Sequence, residues 1–208
     1  MLDQLKGSRF IVVLSNYRTG STALCDYISK QLGYKNVDEL FLVGDNIQGW
    51  KTYVENTLNQ DNVVMKVMPD QLMSPYWQKA VERGYMIGLT RSDKVEQIAS
   101  MYISYMSDLW HEKRNSSAKE YTVEIDEEQM HNIGCHILAM DARYELLKKF
   151  CQFELRYEDL GILLCESEYK KITKPSNYEE ILYAAIDFLK EFPNGTHESV
   201  ERDIADFI

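Results

Sequence analysis

Residues 10–24 read FIVVLSNYRTGSTAL, an apolar run that turns through a glycine into the start of a helix. Ile11, Val12, Val13 and Leu14 follow one another without a polar break, the pattern of a strand covered on both faces, as in a parallel sheet. A strand of that kind needs helices over both of its sides, so this one segment points the chain toward a layered α/β architecture. The turn after it is suited to an anion. Gly20 removes a Cβ where backbone N–H groups must converge, and the following helix adds free N–H groups and its positive dipole end. Ser21 and Thr22 contribute hydroxyls, and Arg18 contributes a planar cation that matches phosphate or sulfonate oxygens.

The loop departs from the ATP/GTP pattern G-x-x-x-x-G-K-[ST], because Ser15 stands where the first glycine belongs and Ser21 where the lysine belongs. Further strand-like runs fall near 62–68, 85–90 and 152–157, separated by stretches of helical periodicity. That alternation predicts an α/β, P-loop-like three-layer fold with a mostly parallel central sheet flanked by helices. Ligands of such sheets bind at the carboxyl ends of the strands. Arg18, Lys66, Arg91 and the Tyr157-Glu158-Asp159 corner all fall at or just beyond predicted strand ends, so four segments are expected to share one crevice.

Tyr17-Arg18-Thr19-Gly20-Ser21-Thr22-Ala23-Leu24 resembles the loop with which the sulfotransferase family binds the 5′-phosphosulfate of PAPS. NVVMKVMP at 62–69, with Lys66, resembles the next strand of the bacterial trehalose 2-sulfotransferase branch. YMIGLTRSDKVEQIAS at 85–100 resembles the family's 3′-phosphate pair, here Arg91 and Ser100, and FELRYEDL at 153–160 resembles its RYEDL strand end. The four matches run in order from 10 to 160. They imply a sulfotransferase-like domain over residues 1–208, with PAPS as sulfuryl donor, PAP as product and no metal, acting on a hydroxyl of a small, carbohydrate-like acceptor.

The resemblance also assigns roles. Arg18 would face the bridging oxygen and the 5′-phosphate, with Thr19, Gly20, Ser21, Thr22 and Ala23 lining the loop. Arg91 and Ser100 would hold the 3′-phosphate, and Tyr157 would lie near the adenine or else pack as core. Asp38-Glu39-Leu40-Phe41 is similar to the E-E-Y-F segment that carries the base in the trehalose branch, with Glu39 matching; Leu40 departs from it. His111 is the alternative base. Lys66 would contact the sulfonate or only cap its strand. Segments 34–60 and 108–125 are expected to set acceptor choice. Two further classes stay open: a nucleotide kinase or NTPase with a degenerate loop, and a non-catalytic PAP-binding protein of the same fold.

The helix after Arg91 is expected to start at Ser92 or Asp93, with Glu96 reaching back to its cap. Val95, Ile98, Ala99, Tyr102, Tyr105, Met106 and Leu109 form its apolar stripe. Tyr102, Tyr105, Met106 and Trp110 offer a face for self-association or for the core. A long helix from about 126 to 150 and another over 177–192 read as scaffold, and Lys113 to Thr122 as a loop, either lid or linker.

Composition narrows the partners. The 208 residues include 23 Lys and Arg against 33 Asp and Glu, a net charge of −10. Long-range repulsion on that scale argues against nucleic acid, an anionic membrane surface or a heparin-like polyanion. Cys25, Cys135, Cys151 and Cys165 show neither C-x-x-C spacing nor a metal-ligand pattern with the four histidines, so reduced thiols are expected. With no apolar leader and no membrane-length run, the expected location is cytoplasmic.

Overall fold

The computed structural model of the protein describes residues 2–41, 49–73, 76–110, 112–113, 120–161, 169–170 and 173–192. Helix α1 (Leu2–Leu5) leads into β1 (Phe10–Ser15), α2 (Ser21–Leu32), β2 (Lys35–Asn36), α3 (Trp50–Leu58) and β3 (Val63–Val67). A 3₁₀ turn (Pro69–Met73), α4 (Trp77–Arg83), β4 (Tyr85–Thr90) and α5 (Lys94–Ser107) follow. Then come β5 (Glu112–Lys113), α6 (Glu127–Leu147), β6 (Phe153–Arg156), β7 (Tyr169–Lys170) and α7 (Tyr178–Glu191). The central sheet has the order β2-β3-β1-β4-β6, and every pairing in it is parallel. The α/β class and the parallel sheet are as the sequence predicts.

Side-chain alternation along β1 explains the layers. Phe10, Val12 and Leu14 pack with Val54 and Leu58 of α3, Ala80 of α4 and Tyr144 of α6, whereas Ile11 and Val13 pack with Leu24, Cys25 and Ile28 of α2. All five strand residues are fully buried, which is why the run shows no polar alternation. A separate core joins Ile98, Tyr102 and Ile103 of α5, Ile133 and Ile137 of α6, and Ile181 and Phe188 of α7. The chain leaves β1 toward β2 on one side and leaves β4 toward β6 on the other. The neighbouring ends of β1 and β4 therefore form the switch point at which parallel sheets open a ligand crevice.

Several local expectations are corrected. Asp93 caps α5 by accepting from Glu96 N at 2.9 Å, but the Glu96 side chain turns to Arg91 and Lys174, and Glu158 accepts from Asp93 N instead. The stripe of α5 stops short: Tyr105 is exposed within the helix, and Leu109 is exposed beyond it, because the helix ends at Ser107 and Asp108 takes φ 56°. Tyr102 is buried in the core, whereas Trp110 lies at the surface. The long helix ends as α6 at Leu147 and continues as a 3₁₀ turn over Lys148–Phe150. Lys113 is not loop but pairs antiparallel with Tyr169, while 114–119 lie outside the described residues.

Candidate functional site

Two loops meet at the switch point, one after β1 and one after β4. The first, Asn16 to Gly20, bends through left-handed backbone at Arg18 (φ 58°) and Gly20 (φ 79°). Gly20 caps α2 with no side-chain hydrogen bond, so the first-turn N–H groups of the helix are left for another acceptor. Four of the loop's carbonyls, by contrast, are taken. Asn16 O accepts from Thr19 Oγ1 at 2.8 Å, Tyr17 O from Gln97 Nε2 at 2.6 Å, and Arg18 O from Arg91 Nη1 at 3.2 Å. Gly20 O accepts from Leu24 N at 3.0 Å. Thr19 thus spends its hydroxyl on the loop itself.

Arg18 extends along α5. Its Nε donates to Ser100 Oγ at 3.0 Å and its Nη1 to Trp110 O at 2.8 Å. Burial, and then the nearby charge of Arg91, pull its pKa down to about 10, which leaves it cationic at neutral pH. Arg91 follows β4 directly and is 7% exposed. One side of its guanidinium lies 4.5 Å from the ring centre of Tyr157, a cation–π contact. Its Nη2 is 3.5 Å from Glu96 Oε2, and its Nε is buried with no hydrogen-bond partner. Glu158 Oε1 accepts from Ser92 N and Asp93 N at 2.9 and 3.1 Å, so the Tyr157-Glu158 corner braces both the side chain and the backbone of this turn.

A second group lies on the α2 side of the sheet. Lys66 pairs in register with Val13 and points its ammonium to Thr22 Oγ1 at 2.5 Å, Asp38 Oδ1 at 3.0 Å and Glu39 Oε1 at 3.0 Å. Burial alone would lower the Lys66 pKa, but the two carboxylates outweigh it and raise the ammonium above its ordinary value. Gln71 Nε2 donates to Glu39 Oε2 at 3.1 Å, so both Glu39 oxygens are engaged. Beside them Tyr17 OH donates to Asp70 Oδ2 at 2.7 Å, and its ring lies 5.3 Å from that of His136. Burial holds the His136 pKa below the usual value.

The structure therefore brings Arg18, Arg91, Ser100 and Tyr157 into one cluster around the Thr19–Ala23 loop and helix start. Thr22 connects that cluster to Lys66 and Glu39. His111 lies outside the described residues. Among those residues, no group of three or more His, Cys, Asp or Glu is placed to hold a metal, and no helix is long and apolar enough to cross a membrane. Sequence reasoning missed Asn16, Asp38, Asp70, Gln71 and Gln97. Asn16 carried a signal, as the first amide after an unbroken apolar strand; Gln97, flanked by Glu96, gave none.

No protein-family model matches the chain, and no curated protein sequence matches it. Among solved structures it is similar to a retinol dehydratase crystallised in a complex with retinol and PAP. The identity is 14%, the match covers 90% of this chain and 67% of that one, and the TM-score is 0.38. A likeness of that size carries no argument about activity, and the functional reading rests on the residues.

Proposed function

We propose that the protein is a PAPS-dependent sulfotransferase that moves a sulfuryl group in line onto a hydroxyl of a small, carbohydrate-like acceptor. The supporting observation is the placement of the partly buried Arg18 and the buried Arg91 beside an N–H-rich loop at the sheet's switch point. A nucleotide with anionic groups at both its 5′ and 3′ positions matches two such cationic centres better than a nucleotide with a single phosphate cluster. The residues fit PAPS: Gly20 caps α2 without a side-chain hydrogen bond, so the first-turn N–H groups would be met by a ligand, and Arg91 Nε is a buried donor without a partner.

When bound, PAPS would supply a sulfuryl group already attached to a phosphate leaving group. The chain's own part is positioning and charge stabilisation. Arg18 and the loop N–H groups would hold the 5′-phosphate and take up charge as the S–O bond to it breaks. Arg91 and Ser100 would hold the 3′-phosphate, with Tyr157 supporting the guanidinium. Glu39 would accept the hydroxyl proton as the new S–O bond forms, releasing Lys66 or Gln71 to do so, and Lys66 would then face the transferred oxygens. The carbohydrate-like acceptor rests on the similarity of Asp38–Phe41 to the trehalose branch, and the net charge of −10 disfavours polyanionic acceptors.

Incubation with labelled PAPS and a panel of mono- and disaccharides tests the proposal. Label should move to a sugar with the wild-type chain and not with Arg18→Ala. Turnover retained in Arg18→Ala would overturn the role of the loop arginine. Mg²⁺-dependent ATP turnover without PAPS consumption would replace the reading with a nucleotide kinase or NTPase, and tight PAP binding without transfer to any acceptor would favour a non-catalytic PAP-binding protein.

A further inference from the structure

We propose that Gln97 is a positioning residue. Through hydrogen bonds and one Lys94–Asp141 ion pair it closes a ring with Lys94, Asp141 and Asn16 that holds the Tyr17 carbonyl away from the anion site and presents the next N–H to the 5′ side of the ligand. The inference rests on reading that loop as the 5′-anion site.

The ring is continuous. Asn16 Nδ2 donates to Asp141 Oδ1 at 2.8 Å, and Lys94 Nζ lies 2.7 Å from the other Asp141 oxygen. Lys94 Nζ also donates to Gln97 Oε1 at 2.8 Å, Gln97 Nε2 donates to Tyr17 O at 2.6 Å, and Tyr17 N returns to Asn16 Oδ1 at 2.6 Å. Asn16 is 2% exposed and Gln97 is fully buried. A lysine ammonium has donors only, so Lys94 fixes which end of the Gln97 amide faces it and leaves the NH₂ for the loop. Asp141 balances the lysine charge, and the ring adds no net charge beside the anion site.

The consequence follows from the trans peptide, in which each carbonyl points opposite to the next residue's N–H. Holding Tyr17 O against α5 directs the Arg18 N–H the other way, and holding Arg18 O on Arg91 does the same for Thr19. The backbone at Arg18 sits at φ 58°, a conformation an L-residue adopts at some cost. Without the Gln97 contact, that turn has less to maintain it. Neither Lys94 nor Gln97 belongs to the groups assigned to ligand contact, so their effect would be on loop geometry.

The test is calorimetric titration of the full chain with inorganic pyrophosphate, PAP and 3′-AMP, alongside its thermal midpoint. Gln97→Met keeps the shape and charge but loses the donor. It should weaken pyrophosphate and PAP by about tenfold, the worth of one well-made hydrogen bond, and leave 3′-AMP binding near wild type. The double variant Lys94→Met with Asp141→Asn, which keeps the net charge, opens the ring at its more exposed side and should give the same ligand pattern if Gln97→Met fails to fold. Unchanged pyrophosphate affinity in a folded variant would overturn the inference, as would equal losses for PAP and 3′-AMP. A wild-type chain that binds pyrophosphate but not PAP would remove the sulfotransferase reading while the pyrophosphate arm still decides the role of Gln97. Binding of neither would overturn both.

Discussion

Arg91 combines near-complete enclosure with an unused N–H. Its Nε is buried without a partner, and its contact with Glu96 is long at 3.5 Å. A buried donor left unbonded carries a desolvation cost of about 1–3 kcal/mol, which an arriving anion would recover. Arg91→Ala should therefore weaken PAP binding at least tenfold while 5′-AMP binding stays close to wild type; equal losses for the two nucleotides would remove Arg91 from the 3′-phosphate site. Lys66 gives a prediction in pH. Its pKa is raised above 10.5 by Glu39 and Asp38 against the effect of burial, so its pairing stabilises the fold fully below 10.5 and ceases to do so as pH rises through the higher folded-state value. The urea midpoints of wild type and Lys66→Met should differ by a constant amount at neutral pH and converge in strong alkali. A gap that persists unchanged would contradict the pairing. At this scale the convergence of Arg18, Arg91 and Ser100 was legible because each sits in a spaced motif. Gln97 was not, since an amide's partners are set by tertiary contact and leave no periodic trace, whereas Asn16 was marked only by its place after the apolar strand.

Strand ends were legible to within about a residue wherever burial on both faces made an unbroken apolar run, as in β1, β3 and β4. The two-residue β2 was not, because Lys35 and Asn36 are exposed and join the sheet through backbone alone. Helix α5 shows how a capping signal divides: Asp93 accepts from Glu96 N as its sequence suggests, whereas Arg91 and Lys174 compete for the Glu96 carboxylate. Further along, α6 meets α7 at Gly134, where an added Cβ would fall within the contact distance of the Phe188 ring. Phe188 is 5% exposed and has little room to give. Gly134→Ala should cost about 2 kcal/mol by overpacking and lower the melting point by about 4–8 °C, read by circular dichroism. An unshifted midpoint would mean that the two helices separate freely.

In the whole molecule, five parallel strands carry loops from β1 and β4 to one edge, and the three cores differ in what they support. Two lie on opposite faces of the sheet and hold the strands, while the third packs α5, α6 and α7 into a unit that also reaches the anion loop through Gln97 and Asn16. The arrangement places a local concentration of positive charge, Arg18 beside Arg91, in a chain whose net charge is −10. On the proposed reading, small anions would be favoured over extended polyanions, which the net charge of −10 would repel. On the same proposed reading, this crevice recognises a nucleotide phosphorylated at both its 3′ and 5′ positions. Calorimetric titration of the wild-type chain with PAP, using 5′-AMP and Mg-ATP as comparators, measures that directly. Tight PAP binding is expected, with AMP weaker by at least tenfold, whereas failure to bind PAP together with binding of Mg-ATP would contradict that recognition.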